Sequence, residues 1–260
     1  MTFEYQDIIV SYKTFGKKNA PCVVLLHGFM EHSGIWDSFL PLLQQEHYLI
    51  VPDLFGHGST PGLGSVHTME DFASMISGLL DHLQVSSANF IGHSMGGYIT
   101  LAMVDLYPSY CKSILLMNSI SGADSEIRKS ERDRFIDLVR KDQRRFVNTV
   151  VDSFFTPATR VKFQEERDAF ITAGMKLKPE NIIAALRGMK TRKDRTEILK
   201  NYQGKKWIIG AEEDALFPIQ DVKNMVDETG AQLFILPDGH MSHIEQRERT
   251  REIITKFLST

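Results

Sequence analysis

The sequence predicts an α/β fold, in which a doubly wound, mostly parallel sheet carries an inserted all-helical cap. Short apolar runs of strand length recur along the chain, namely CVVLL, YLIV, ANFI, SILLM, KWIIG and QLFIL. Continuous rather than alternating runs are typical of strands that helices cover on both faces. Stretches with helical spacing lie between several of these runs, and the repeated order of strand, helix and strand predicts parallel pairing.

Two amphipathic stretches in the first half of the chain show the helical spacing. Apolar residues three or four positions apart predict two helical stripes, one at Ile35, Phe39, Leu42 and Leu43 and one at Phe72, Met75, Ile76, Leu79, Leu80 and Leu83. The opening segment, FEYQDIIVSYKTFG, alternates apolar and polar residues more regularly. It therefore predicts antiparallel strands at one edge of the sheet.

The alternation of strands and helices stops in the middle of the chain. Between about residues 121 and 201 we find only amphipathic helical segments, with breaks expected at Thr156-Pro157, Gly174 and Lys178-Pro179. The strand pattern resumes near Lys206. The simplest organisation is a core formed by residues 1–120 and 202–260, interrupted by a helical cap at residues 121–201.

Composition narrows the classes of function. The chain has 260 residues and a formal net charge of −3, so we expect no nucleic-acid partner. No run reaches the roughly 18 apolar residues that span a bilayer, and the N-terminus lacks the features of a signal peptide, so we expect no membrane association. Cys22 and Cys111 lie in or beside apolar runs, which predicts buried thiols and fits a cytoplasmic protein.

A glycine-rich turn carries the candidate nucleophile. The segment Gly92-His93-Ser94-Met95-Gly96-Gly97 follows the apolar run ANFI and opens the helical run YITLAMVDLY. In a nucleophile elbow, a strained turn between strand and helix exposes the serine hydroxyl, and the crowding there requires small residues on either side. The pattern G-x-S-x-G alone is weakly specific, but its place between a strand and a helix makes Ser94 the candidate nucleophile.

With this motif, the chain resembles the α/β-hydrolase superfamily over nearly its whole length, most loosely over the cap. The resemblance implies that His27-Gly28-Phe29, after the run CVVLL, is the oxyanion loop. The backbone N–H groups of Phe29 and Met95 would then bind the oxyanion. The segment DLFGHGS at residues 53–59 resembles a turn of the same family, in which we expect Asp53 and His57 to brace the loop.

Nine histidines compete for the role of general base. A serine hydroxyl needs an imidazole to remove its proton at neutral pH. In the family, the base follows a glycine after the last strand and precedes a Glu at the start of the final helix, and Gly239-His240 and Glu245 match that pattern. We therefore predict His240 as the base and keep His243, expected at the rim of the site, as the alternative.

The base must be held in one tautomer by a carboxylate. Asp214 lies in the segment GAEEDALFP, which follows the run KWII and looks like the acid loop of the family. Glu212 and Glu213 are the alternatives and are expected to be solvated. Some relatives place the acid one strand earlier, but the residues MNS at 117–119 offer no carboxylate there. We therefore predict Asp214 as the acid.

Apolar residues of the cap and of the two loops are expected to enclose an apolar acyl pocket, with Met30, Phe154 and Phe155 as candidate lining residues. No metal-ligand spacing, P-loop or dinucleotide fingerprint occurs, so we expect neither a metal nor a cofactor. Residues 121–200 carry 19 basic and 13 acidic side chains. This excess indicates either a basic cap docked on an acidic core or cap arginines that meet a substrate carboxylate.

The leading functional prediction is a serine hydrolase that cleaves small to medium carboxylic acyl esters through an acyl-enzyme on Ser94. Its partner would be a small-molecule ester or a related acyl substrate. The alternatives are a thioesterase, a C–C bond hydrolase, or a lyase resembling the menaquinone-pathway enzyme, the last two acting on a carboxylate-bearing substrate. A receptor or binding protein that retains the fold is a remote alternative, because fold and function are separable. The sequence leaves the natural substrate and the oligomeric state open.

Overall fold

Eight strands form one sheet in the computed structural model, which describes residues 1–259; they are β1 (Thr2–Tyr5), β2 (Ile8–Phe15), β3 (Cys22–Leu26), β4 (Tyr48–Pro52), β5 (Ala88–His93), β6 (Cys111–Met117), β7 (Lys205–Ala211) and β8 (Gln232–Leu236). Their order across the sheet is β1-β2-β4-β3-β5-β6-β7-β8. The pairs β1–β2 and β2–β4 are antiparallel, and the pairs from β4 to β8 are parallel. The predicted fold class, with its antiparallel edge strands, is confirmed.

Successive residues of a strand point to opposite faces of the sheet, so each central strand contributes to two cores. Every residue of β3 is buried. Val24 and Leu26 pack into one apolar cluster, whereas Val23 and Leu25 pack into a second cluster together with Phe257 near the C-terminus. The continuous apolar runs of the sequence are therefore strands that are covered on both sides.

Within residues 1–259, twelve α-helices connect and cover the strands: α1 (Leu40–Leu43), α2 (Met69–Leu83), α3 (Met95–Leu106), α4 (Glu126–Lys141), α5 (Gln143–Phe154), α6 (Pro157–Lys162), α7 (Gln164–Lys176), α8 (Pro179–Lys190), α9 (Thr196–Asn201), α10 (Ile219–Thr229), α11 (Ser242–Glu245) and α12 (Arg247–Ser259). The predicted stripe at residues 72–83 lies on α2, which begins with a capping box between Thr68 and Asp71. Among residues 1–259, no helix combines the length and apolarity needed to cross a membrane.

Six consecutive helices, α4 to α9, lie between β6 and β7. The breaks expected before Pro157 and Pro179 occur, because α6 and α8 begin at these prolines, whose missing N–H is tolerated in the first helical turn. Gly174 lies inside α7 rather than at a break. A Cβ there would lie 2.7 Å from Cε of Met30 and 3.0 Å from Cγ1 of Val147, so glycine allows α7 to pack closely against its neighbours.

At residues 35–43 the structure differs from the single helical stripe that the sequence predicts. A 3-10 turn at Ser33–Trp36 precedes the short helix α1, and Leu42 is exposed rather than buried. Pro41 has no N–H for a helical hydrogen bond, so it cannot continue a helix from the preceding turn and instead lies in the first turn of α1.

Buried polar contacts join the α4–α9 segment to the helices of the sheet. Arg195, only 2% exposed, forms ion pairs with Asp105 at 3.1 Å and with Glu70 at 2.7 Å. The amide of His67 donates a hydrogen bond to the carbonyl oxygen of Ala184 in α8, at 3.0 Å. Part of the basic excess of residues 121–200 is therefore used to dock this segment on acidic groups of α2 and α3.

Candidate active site

Ser94 occupies the turn between β5 and α3. Its backbone has φ of +51° and ψ of −114°, a conformation that L-residues rarely adopt and that surrounding contacts must enforce. The adjacent glycines are required by crowding. A Cβ on Gly92 would lie 2.3 Å from the carbonyl oxygen of Gly96, and a Cβ on Gly96 would lie 2.3 Å from that of Leu26. The turn thus has the strained backbone and close packing of a nucleophile elbow.

A chain of two side-chain hydrogen bonds starts at Ser94. The Oγ atom of Ser94 lies 2.9 Å from Nε2 of His240, and Nδ1 of His240 lies 2.8 Å from Oδ2 of Asp214. Since a carboxylate only accepts hydrogen bonds, Nδ1 carries the proton and Nε2 is free to accept from the serine hydroxyl. We name these three residues the candidate triad. Three loops that are far apart in sequence therefore meet at one point.

The Asp214 carboxylate is 4% exposed and accepts hydrogen bonds on both of its oxygens. Oδ1 accepts from the backbone N–H groups of Leu216 at 2.9 Å and Phe217 at 3.1 Å, and Oδ2 accepts from Nδ2 of Asn118 at 3.1 Å. Burial on its own raises the pKa of Asp214, but His240 and these donors together lower it below its usual value. Asp214 is therefore a fixed, ionised partner for His240.

The other two acidic residues of this loop lie outside the site. Glu212 and Glu213 are both exposed, as expected for solvated groups.

The rings of Phe154 and Phe217 lie beside the imidazole of His240, and the centroid of each ring is 5.5 Å from that of the imidazole. These rings shield one part of the imidazole from solvent, which strengthens its hydrogen bonds.

Two backbone N–H groups close to Ser94 have no acceptor within residues 1–259. They belong to Phe29, which follows Gly28, and to Met95, the first residue of α3. The loop at Gly28 passes against the elbow, because a Cβ on Gly28 would lie 3.1 Å from Cβ of Ser94. The N–H groups at the first turn of a helix lack intrahelical acceptors and carry the positive end of the helix dipole. Both N–H groups are thus available to a negatively charged oxygen.

A cavity of about 470 Å³ opens beside Ser94. Most of its lining is apolar and comes from α3, α4, α5, α8 and the loops around the candidate triad: Phe29, Tyr98, Phe135, Leu138, Val150, Phe154, Leu186, Met189, Leu216 and Phe217. A volume of this order suits a small ligand whose position a few polar groups fix. The cavity places an apolar surface directly next to the serine hydroxyl.

Of the three candidate pocket residues, only Phe154 lines this cavity. Met30 has φ of +64° and packs its side chain against α7, where it lines a second cavity of about 320 Å³. Phe155 is also absent from the lining, because α5 ends at Phe154 and Phe155 adopts an extended backbone that leaves the helical stripe. The sequence-based assignment of Met30 and Phe155 to the pocket is therefore corrected.

The cavity also has a charged side, formed by α4. Arg128, Glu131, Arg132 and Arg134 all contribute to its lining. Arg128 pairs with Glu131 at 3.3 Å and also donates to a backbone carbonyl, and Arg132 pairs with Asp124. Arg134 is exposed and forms no ion pair with any residue between 1 and 259. Arg134 therefore brings a positive charge without an ion-pair partner to the border of the cavity.

The segment at residues 53–59 is held by its own polar groups. Asp53 accepts hydrogen bonds from the backbone N–H groups of Ser33 at 2.8 Å and Ser59 at 2.9 Å. Nδ1 of His57 lies 2.8 Å from the carbonyl oxygen of Phe55. Both side chains thus contact backbone groups that shape the loop, and neither contacts the candidate triad.

His243 lies in a different place from the rim that the sequence analysis suggested. It is 2% exposed, and its Nε2 atom is 3.6 Å from Oε1 of Glu31. Its ring packs against His93 with centroids 4.6 Å apart, and it does not line the cavity beside Ser94. The short helix α11 begins directly after Met241, and so turns His243 inward.

Sequence reasoning overlooked three residues that contact the site, namely Glu31, His93 and Asn118. Asn118 donates to Asp214, and His93 and Glu31 form a buried pair behind the elbow. Asn118 directly follows β6, where some relatives place the acid, and that position could have indicated a residue in contact with the site. Glu31 and His93 lie 62 positions apart in sequence, so no local pattern indicates that they pair.

The fold and the site define the class of the protein as a hydrolase built on a mostly parallel sheet. The chain matches the family described as alpha/beta hydrolase fold over residues 21–246, and it belongs to that family. The resemblance inferred from the sequence is therefore confirmed.

Two curated relatives illustrate the range of the family. The pyrrolizixenacetamide deacetylase of Xenorhabdus hominickii is 24% identical over 263 residues, which cover 97% of this chain and 95% of the relative. The 3-oxoadipate enol-lactonase 2 of Acinetobacter baylyi is 25% identical over 118 residues, which cover 45% of this chain and 44% of the relative. The chain thus spans less than half the length of some curated relatives that it matches.

Two solved structures are similar over the whole chain. An esterase from Thermogutta terrifontis has a TM-score of 0.91 at 27% identity, covering 99% of this chain and 96% of that one. The enol-lactonase from Burkholderia xenovorans has a TM-score of 0.92 at 18% identity, covering 100% of both chains. At 18% identity, the second likeness concerns the fold alone.

Proposed function

We propose that the chain is a carboxylic-ester hydrolase that forms an acyl-enzyme on Ser94. The observation that carries the proposal is the continuous hydrogen-bonded chain from Ser94 through His240 to Asp214, beside an apolar cavity. The names of similar proteins, an esterase and an enol-lactonase, support an ester-type bond as the target. The ionised Asp214 and the free N–H groups of Phe29 and Met95 support the same chemistry.

In the first half-reaction, Oγ of Ser94 attacks the ester carbonyl carbon while Nε2 of His240 removes the hydroxyl proton. The carbonyl oxygen becomes an oxyanion, to which the N–H groups of Phe29 and Met95 donate hydrogen bonds worth about 3 kcal/mol each in the transition state. Asp214 stabilises the imidazolium that forms. When the tetrahedral intermediate collapses, the bond to the leaving oxygen breaks and the imidazolium returns its proton to that oxygen.

In the second half-reaction, water attacks the acyl carbon and His240 removes its proton. A second tetrahedral intermediate uses the same two N–H groups. Its collapse breaks the bond to Oγ of Ser94, and the proton on His240 returns to the serine oxygen. The products are a carboxylic acid and an alcohol, and the enzyme is regenerated without any change of oxidation state.

The cavity indicates the size of the acyl group. A space of about 470 Å³ with a mainly apolar lining suits small to medium acyl chains rather than a polymer or a long lipid. Since α4, α5 and α8 supply much of the lining, we propose that residues 121–201 act as a cap whose packing selects the substrate. The partner is accordingly a small molecule, with neither nucleic acid nor membrane involved.

The two cysteines are the basis for a proposed cellular location. Cys22 and Cys111 are free and buried, and burial raises the pKa of each thiol to about 12. Such thiols are unreactive at neutral pH and form no bridge, which suits the cytoplasm expected from the sequence.

The proposal is tested with Ser94→Ala and a series of activated esters of increasing acyl length. The variant is expected to lose about 10⁵- to 10⁶-fold in kcat, the range seen when a triad nucleophile is removed. A fluorophosphonate probe should label Ser94 in the native protein and nothing in the variant. Turnover by Ser94→Ala, or labelling of a different serine, contradicts the mechanism.

A second candidate substrate class is a molecule that bears a free carboxylate, in which the bond cleaved is either an ester bond or a C–C bond. The unpaired guanidinium of Arg134 at the cavity favours it, because arginine binds a carboxylate through two parallel hydrogen bonds. A neutral ester of equal length provides the comparison. We expect the carboxylate-bearing ester to have about tenfold higher kcat/KM, which is less than a buried contact gives because Arg134 is exposed.

Arg134→Gln should abolish this preference at low ionic strength while leaving hydrolysis of the neutral ester unchanged. Arg140→Gln is the matched control, because Arg140 also lies on α4 but does not line the cavity. If both variants reduce the preference equally, the effect comes from overall charge. If the native protein hydrolyses both esters at equal rates, the carboxylate-bearing class is rejected and the protein is an esterase for uncharged acyl groups.

A further inference from the structure

Two buried charged side chains outside the candidate triad connect the loops that flank it. Oε2 of Glu31 accepts a hydrogen bond from the N–H of Gly28 in the oxyanion loop and lies 2.9 Å from Nδ1 of His93. Nε2 of His93 lies 3.0 Å from the carbonyl oxygen of His240. A continuous path of hydrogen bonds therefore runs from the oxyanion loop, behind the elbow, to the loop of the base.

The partners of His93 determine its charge. One ring nitrogen faces a carboxylate oxygen and the other faces a carbonyl oxygen, and neither of these atoms can donate. With Glu31 ionised, both nitrogens carry protons, which makes the ring an imidazolium. His93 is 1% exposed and Glu31 is 3% exposed, so the two form a buried ion pair.

The electrostatics of the pair agree with this geometry. Burial alone lowers the pKa of His93, but the Glu31 carboxylate and the carbonyl of His240 raise it above the usual value. Burial alone raises the pKa of Glu31, and the neighbouring His93 outweighs it and lowers that pKa to about 2. Each charge is thus maintained by the other.

We propose that the Glu31–His93 ion pair is a positioning device that fixes the oxyanion loop and the base loop relative to Ser94. The inference rests on the proposed function, because it assumes that Ser94 is the nucleophile. Glu31 holds Gly28, the residue directly before the Phe29 N–H. His93, which directly precedes Ser94, holds the main chain of His240.

The ion pair suits this task better than two neutral hydrogen bonds. Charge-assisted hydrogen bonds are about twice as strong as neutral ones, and they are strongest where water is excluded. The pair is also neutral overall. The rings of His93 and His240 have centroids 5.1 Å apart, so an uncompensated imidazolium at His93 would oppose protonation of His240 during the reaction. Glu31 offsets that charge while keeping the two N–H donors of His93.

His243 completes the cluster but lies off the path. Burial lowers its pKa to about 3, so it is neutral, and within residues 1–259 neither of its ring nitrogens has a hydrogen-bond partner; Nε2 only approaches Oε1 of Glu31, at 3.6 Å. Ligand atoms of Glu31, His93 and His243 all lie within 4.8 Å of one another, so a divalent cation is the rival explanation of the cluster. Coordination at Nδ1 of His93 would displace the proton that pairs with Glu31, so the two arrangements exclude each other.

The charge state is tested in the native protein by ¹⁵N NMR of labelled histidine rings. At about pH 7, where a histidine with the usual pKa of roughly 6.5 is mostly neutral, both ring nitrogens of His93 should still carry protons. The resonances are assigned by their loss in His93→Gln. A neutral His93 ring at this pH overturns the ion pair, whether or not any variant folds.

The positioning role is tested with Glu31→Gln. Glutamine keeps the shape and one accepting oxygen but removes the charge that keeps His93 doubly protonated, so one of the two bonds of His93 is lost. We expect kcat to fall about 10- to 100-fold with KM within about threefold, as for a misplacement of catalytic groups by a fraction of an ångström. A rise in KM at unchanged kcat contradicts the inference.

Glu70→Gln is the matched control, because it also removes a carboxylate paired with a buried cation, Arg195, and contacts neither loop of the site. Its kcat should stay within about threefold of the native value, even where it loses similar stability. An equal loss of kcat in Glu70→Gln would make the effect general destabilisation and overturn the positioning role.

Two further outcomes separate this inference from its rival and from the proposed function. One equivalent of bound metal that EDTA removes together with activity would overturn the ion pair in favour of a cation site; retention of full activity in EDTA supports the pair. If Ser94→Ala is inactive but Glu31→Gln keeps its kcat, only the positioning role fails. If Ser94→Ala stays active, the proposed function fails and the positioning role with it.

Discussion

Asp214 is held on both carboxylate oxygens, and this restricts how it acts on His240. Oδ1 is occupied by two backbone N–H groups of its own loop, which leaves Oδ2 to face Nδ1 of the imidazole. Asn118 donates to the same Oδ2 and also to the carbonyl oxygen of Gly239, so it ties the acid to the loop of the base. The carboxylate is therefore oriented before any substrate arrives.

Asp214→Asn tests this orientation. The amide can place an N–H toward Nδ1 and so favour the tautomer in which Nε2 carries the proton and cannot act as a base. We expect the fold to persist and the rate to fall by up to about 10⁴-fold in steady-state ester hydrolysis. Glu213→Gln, in the same loop but solvated, should stay within about tenfold of the native rate. A crippled Glu213→Gln with an active Asp214→Asn would assign the acid to Glu213.

Among the helices, α8 shows how closely the segment between β6 and β7 is docked on the rest of the protein. A Cβ on Gly188 would lie 1.6 Å from the backbone carbonyl oxygen of His67, a distance that no side chain can occupy. The amide of His67 donates to Ala184, one turn earlier on α8. Glycine is thus required at position 188 by contact with backbone, which cannot move aside as a flexible side chain does.

Gly188→Ala should destabilise the protein although alanine is the better helix former. The propensity gain of about 1 kcal/mol is outweighed by the clash, and we expect a net loss of about 2 to 4 kcal/mol in the free energy of unfolding. Urea denaturation measures it. Gly122→Ala is the control, because its added Cβ would meet only Oδ2 of Asp194 at 3.7 Å. Equal stability of the two variants would show that α8 can shift without cost.

Taken together, the buried histidines make the stability of the protein depend on pH. Burial lowers the pKa of His57 and of His243 to about 3, and that of His67 to about 4. In each case the unfolded chain binds a proton that the folded protein excludes. His93 acts in the opposite sense, since its contribution is present below its unfolded pKa and is lost as the pH rises through its raised folded pKa.

The free energy of unfolding should therefore fall as the pH falls from about 6.5 toward 4. Each excluded proton contributes a slope of up to about 1.4 kcal/mol per pH unit in that interval. Below about pH 4.5 Glu31 adds to the decline, because the unfolded chain protonates this carboxyl whereas the folded protein, in which its pKa is about 2, keeps it ionised. His57→Gln should make the slope between pH 6.5 and 4 shallower. Urea denaturation at several pH values checks it, and parallel profiles for the two proteins would contradict the role of His57.

Local sequence patterns are sufficient to predict the sheet and the nucleophile elbow. Residues 22–26 are apolar without interruption, and β3 is buried on both faces, because a strand between two helical layers has no polar face. The small residues around Ser94 reflect crowding within a few positions of the chain, so the motif and its strain lie in one segment. Asp214 and His240 were predicted from the resemblance of their loops, each after a strand, to those of the α/β-hydrolase family, and parallel strands bring such loops to one edge of the sheet.

Residues whose meaning depends on distant partners could not be predicted in this way. Glu31 and His93 are 62 positions apart, and Asn118 and Asp214 are 96 apart, so no periodicity or motif links them. Met30 is an apolar residue beside the oxyanion loop, yet its backbone conformation turns it toward α7. Sequence therefore determines which segments become strands, helices and turns, since these depend on neighbours along the chain. Packing determines which buried groups pair, because the ionisation and direction of a side chain depend on atoms that only folding brings into contact.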